Sequence, residues 1–105
     1  MAFTGNENHG ISLEEATRFT ANYREISGEE FLGGFFGKSA VTAILDQSGC
    51  VGMRIYNAID DEDKSCYVLV GVTADEKDMY NGELAEISIG CPPHCPFGSP
   101  LAGAD

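Results

Sequence analysis

The chain has 105 residues, 43% of them hydrophobic and 22% charged, an ordinary composition for one globular domain. Its charge is not ordinary: 6 basic residues against 17 acidic ones give a net charge of −11. Such a surface repels phosphate backbones and anionic lipid, so no nucleic acid and no membrane is expected as a partner.

Residues 1–10 are polar and glycine-containing and read as a flexible N-terminus. They lack a positive segment followed by an apolar one, the mark of a secretory signal. The expectation is a cytoplasmic protein, where cysteines are normally reduced. Residues 11–105 read as a single α+β domain ending in a proline-rich tail. That tail lacks full charges over residues 87–104, but its four prolines exclude a membrane helix.

Order begins at Ile11. Ser12 and Glu15 make a capping box, with Ile11 and Ala16 at the positions of a hydrophobic staple. Leu13, Ala16, Phe19, Tyr23 and Ile26 then recur every three or four residues, one apolar stripe of a helix over 13–26. Glu14 and Arg18 are spaced for an ion pair on the wet side, and Gly28 suits the C-cap.

The next segment, EEFLGGFFG, carries Phe31, Leu32, Phe35 and Phe36 among three glycines, too many for a long helix. These aromatics either plug the core or form a patch that a partner covers. The run GGFFGKS is not a phosphate-binding loop, because Leu32 stands where the first glycine is required and no strand precedes it. A second helix is expected over 39–47, capped by Ser39, with Val41, Ile44 and Leu45 on its apolar face and Gly49 ending it.

The centre of the chain is a β-hairpin. Two β-rich runs, Cys50–Ile59 and Cys66–Val72, flank the acidic turn Asp60–Lys64. Pairing Ile59 with Cys66 sets Met53 opposite Val72 and Ile55 opposite Val70. That register gathers the aliphatics on one face and leaves Arg54, Tyr56, Tyr67 and Leu69 on the other, with a Tyr56–Leu69 contact across the strands. A third strand is expected over Leu84–Ile89, with Ile87 and Ile89 inward. Two helices packed on this small antiparallel sheet complete an α+β fold.

Few residues point to chemistry. A calcium loop starting at Asp61 would need glycine and glutamate where Cys66 and Val72 stand. The acids fall in turns or on wet helix faces, His9 lies in the N-terminus, and no G-x-S-x-G nucleophile motif occurs. The exception is Cys91-Pro92-Pro93-His94-Cys95-Pro96. Its two thiols and imidazole suit a soft metal such as zinc, yet structural zinc usually takes four ligands. Reduced thiols, a disulfide and a metal site all remain open for this segment. If it were polyproline-like throughout, the two cysteine Cα atoms would lie about 12 Å apart at 3.1 Å per residue. A disulfide needs roughly 4.4–6.8 Å. Only a turn at Pro93 and His94 closes that gap. The expectation is therefore that Cys91 and Cys95 are unbonded to each other in the cytoplasm and that Phe97 and Leu101 hold the tail to the domain.

The run Gln47–Tyr56 (QSGCVGMRIY), the strand Val68–Val72 (VLVGV), and the CPPHC tail with Ser99–Leu101 after it resemble a group of short bacterial proteins of the Bacteroidetes type. The resemblance spans residues 11–101. It implies a bacterial, cytoplasmic protein and supplies no mechanism or site residue.

The function expected from these features is a non-catalytic binding or self-association module rather than an enzyme, with no cofactor. Its interaction surface would be Phe31, Phe35, Phe36, Tyr56 and Leu69, most simply in a two-fold dimer. The alternative is a thiol or zinc-binding protein acting through Cys91, His94 and Cys95.

Overall fold

A computed structural model describes residues 2–27, 31–86, 89–91 and 98–103. The fold is α+β, with two α-helices, a three-stranded sheet and a two-stranded sheet. The chain divides into two compact units, each described here by itself. Among the described residues no helix is long and apolar enough to cross a membrane.

The first unit comprises Met1–Glu7 and Phe35–Ser88. Helix α2 (Lys38–Leu45) leads into strands β2 (Cys50–Ile59), β3 (Ser65–Thr73) and β4 (Leu84–Glu86), in the order β2-β3-β4 with antiparallel neighbours. Helix α2 packs on all three strands. It starts one residue earlier than expected. Gly37 is its N-cap and no side chain caps it, so Ser39 lies inside the first turn. Gly49 adopts φ +85° in the turn that enters β2.

The hairpin forms where expected, but its register differs by one residue. Ile59 pairs with Ser65, Ala58 with Cys66, Ile55 with Leu69 and Arg54 with Val70. The turn chemistry decides this. Asp60 Oδ1 accepts from the amides of Glu62 and Lys64, at 2.8 and 3.0 Å. Asp60 N donates to Lys64 O at 2.9 Å, and Asp63 takes the left-handed conformation, φ 63°. This closes a five-residue loop over 60–64 and leaves Ser65 as the first paired residue. The expected pairing of Ile59 with Cys66 would have kept Ser65 in the loop.

One residue of slip exchanges faces. Ile55 is therefore 59% exposed instead of core, while Leu69 is 3% exposed. Arg54 shares a face with Val70 and Tyr56 with Val68, so the expected Tyr56–Leu69 contact does not form. Strand β3 sits between two strands and is buried on both faces: Cys66, Leu69, Val70 and Val72, with Ile44 of α2, are the buried apolar residues.

The second unit comprises Asn8–Gly34 and Ile89–Asp105. Helix α1 (Leu13–Ser27) has the expected capping box. Ser12 Oγ accepts from Glu15 N at 3.0 Å, and Ser12 N donates to Glu15 Oε1 at 3.4 Å. The helix packs against a short 3-10 helix, Pro100–Ala102. Apart from Ala16, its inward face is not the apolar stripe. Ala16, Thr17, Thr20, Ala21 and Arg24 are partly buried, whereas Leu13, Phe19, Tyr23 and Ile26 are 66, 48, 51 and 89% exposed. Small side chains admit the neighbouring backbone closely, and Arg24 Nη1 donates to Leu101 O at 2.9 Å. Arg18 lies over the Phe19 ring at 5.1 Å and makes no ion pair with Glu14. Gly28, the expected C-cap, is outside the described residues.

Strands β1 (Gly33–Phe35) and β5 (Ile89–Cys91) form the two-stranded sheet. The single strand expected over Leu84–Ile89 is thus two strands in different sheets, with Ile87 outside the described residues. The tail is tied down where the Arg24 side chain donates to the Leu101 carbonyl, and Leu101 itself is 43% exposed. Phe97 is outside the described residues.

Candidate functional site

The chain leaves β3 through a tight turn at Ala74–Glu76. Glu76 adopts φ 68°, its amide donates to Thr73 O at 2.9 Å, and Thr73 N donates to Lys77 O at 3.0 Å. The chain then returns antiparallel to β3. Asp78 bridges to Val72, and Met79 N donates to Gly71 O at 2.8 Å. A residue opposite Val72 shares its face, so Asp78 lies on the same face of the sheet as Arg54 and Tyr56 of β2. Arg54 Nη1 donates to Asp78 Oδ1, and the Tyr56 hydroxyl donates to Asp78 Oδ2. The hydrogen bond to Asp78 holds the Arg54 guanidinium protonated beyond its ordinary range, with Tyr56 adding to the effect.

Arg54 and Asp78 border an open depression of about 770 Å³, lined also by Thr73, Glu76, Lys77, Met79, Tyr80, Asn81 and Gly82. The loop that lines it is held by Gln47. The Gln47 carboxamide accepts from Glu83 N at 2.8 Å and donates to Ile44 O at 2.9 Å, joining the end of α2 to the loop before β4. Both oxygens of Asp78 are committed to a cation and a phenol, and the lining supplies no thiol, imidazole or serine. The arrangement can clamp a loop and present mixed charge to a ligand.

Sequence reading missed this cluster. The available signal was Arg54, the one charged residue in the ten of β2: a cation in an apolar strand needs a carboxylate, and the acids nearest in sequence to the end of β3 follow Thr73.

The expected interaction residues differ in exposure. Phe35 is 61% exposed and Tyr56 45% exposed. Phe31 and Phe36 are partly buried. Leu69 is buried on the face opposite Tyr56.

The expected metal residues fare differently. Cys91 ends β5, where its carbonyl accepts from Leu32 N at 2.7 Å, and it is disulfide-bonded. This corrects the reading of Cys91 as a reduced thiol, which rested on the expected cytoplasmic placement. Cys50 and Cys66 are outside any disulfide. His94 and Cys95 lie outside the described residues. Among the described residues no three histidine, cysteine or acidic side chains converge as a metal site would require.

Compared with known protein families, curated proteins and solved structures, the chain has no match.

Proposed function

We propose that this protein is a non-catalytic binding module that self-associates through its apolar surface. The observation that carries this reading is the number of large apolar side chains left in water. Among the described residues thirteen are exposed, including Phe19, Tyr23 and Ile26 of α1 and Ile55, Tyr56 and Ile59 of β2. Single exposed apolar residues are normal, but several on one element mark an interaction surface. Association against −11 charges per chain requires a contact that is local and apolar. Sedimentation velocity over a wide concentration range tests the proposal. A concentration-dependent dimer is expected, and a strict monomer at the highest concentration overturns it.

Zinc binding through Cys91 is not favoured, because a disulfide sulfur is not the thiolate that zinc requires. The same bond weighs against the cytoplasmic placement, since disulfides persist in oxidising compartments. Cell fractionation with thiol trapping decides the compartment. Recovery of reduced Cys91 from the cytosol would restore the sequence expectation.

A further inference from the structure

Strand β2 is ten residues long and lies at the edge of its sheet. One side of its backbone therefore offers amides and carbonyls to a further strand. Natural edges are usually blunted by charge or proline. Here Cys50–Ile59 contains no acid, no proline and one arginine, in a chain that carries 17 acids. Gly5 sits against the Val51 carbonyl at the start of the strand. Beyond it, Ile55 and Ile59, on one face, are 59% and 71% exposed.

We infer that a second copy of this chain pairs with β2, antiparallel and two-fold symmetric, centred on Asn57. The inference rests on the self-association reading and gives it a surface and a register. A two-fold pairing centred on Asn57 sets each Ile55 opposite Ile59 of the other copy, so four isoleucines leave water together. It sets Tyr56 opposite Ala58. It also sets Arg54 opposite Asp60, twice, so no like charges meet at the seam, although the Arg54 guanidinium itself reaches the other way, across β3, to Asp78. Other centres lose these matches. Centring on Tyr56 puts Arg54 opposite Ala58 and Ile55 opposite Asn57. Centring on Ala58 puts Ile55 opposite Asp61. One strand pair is small beside the roughly 1,200–2,000 Å² that stable complexes bury, so the dimer belongs to the weak, concentration-dependent class.

Cysteine cross-linking reads the register directly. Opposed residues in an antiparallel pair have Cα atoms about 4.5–5.5 Å apart, within the roughly 4.4–6.8 Å span of a disulfide. Under mild oxidation Asn57→Cys should form a covalent dimer, with the new bond located at residue 57 by peptide mapping. Ile59→Cys alone should not, because its mate lies opposite Ile55. Ile59→Lys, at an exposed position that leaves the fold intact, should weaken the dimer about tenfold or more, the equivalent of roughly 1.4 kcal/mol. A dimer by sedimentation with no residue-57 bond, or with an equally fast residue-59 bond, overturns the β2 pairing and leaves self-association standing. A strict monomer overturns both.

Discussion

The Gln47 carboxamide oxygen occupies the space that a β-carbon on Gly82 would need. The same side chain bonds Glu83 N and Ile44 O, so it cannot move aside without breaking a hydrogen bond. Gly82→Ala should therefore destabilise the protein by about 1–3 kcal/mol, the usual cost of overpacking. In a Gln47→Ala background the same change should cost much less. Urea denaturation of the four proteins measures the coupling. Strictly additive effects would show that the two residues do not compete for space.

The hairpin register makes a second, opposite pair of expectations. Leu69 is 3% exposed and Ile55 is 59% exposed, although they face each other across the strands. Leu69→Ala should cost about 2–5 kcal/mol. Ile55→Ala should change the stability of the monomer by no more than about 0.5 kcal/mol. Thermal or chemical denaturation at low concentration checks both, and a large loss at Ile55 would support the alternative register.

Asp63 holds a left-handed conformation, φ 63°, in the β2–β3 turn. A non-glycine residue is strained there, and Asp63→Gly relieves the strain while loosening the unfolded chain. The net expectation is a gain of up to about 1 kcal/mol. A loss measured by denaturation would mean that the aspartate side chain contributes more than its backbone strain costs.

The N-terminal turn is set by Glu7, which accepts from the amides of Thr4 and Gly5, each at 2.9 Å. The Thr4 amide is the largest cause holding its carboxyl below the ordinary value of 4.5. A depressed carboxylate contributes stability that is present above the unfolded value and is lost as pH falls through the folded one. The turn should thus be intact at neutral pH and release on acidification below about 4.5. Amide NMR shifts of Thr4 and Gly5 should follow one titration there. Glu7→Gln should abolish it.

Much of the architecture was legible. The Ser12–Glu15 capping box, the two helices and the central hairpin all follow from local rules. What failed was the assignment of faces. The run Cys66–Val72 is apolar almost without a break, which is the pattern of a strand buried on both faces. Reading it as an alternating strand misplaced its partner. In α1 the periodicity of Leu13, Phe19, Tyr23 and Ile26 is real but faces water, because the inward contact is made by Ala16, Thr20, Ala21 and Arg24. Composition alone does not say which stripe a neighbour selects. The Arg54–Asp78–Tyr56 cluster and the Gln47 brace depend on the loop geometry between β3 and β4, which no local pattern specifies.

Connectivity has a kinetic consequence. Strands β2 and β3 are joined by a five-residue loop, 60–64, whereas β1 and β5 are separated by residues 36–88. By loop-closure entropy the second pairing starts at a disadvantage of about 2 kcal/mol. Folding the β2–β3 hairpin and β4 first shortens that gap, so the second unit, built from two segments far apart in sequence, should be the last to form. In pulse-labelled hydrogen exchange during refolding, β3 amides should be protected before those of β1 and β5. Simultaneous protection would mean that the two units fold as one.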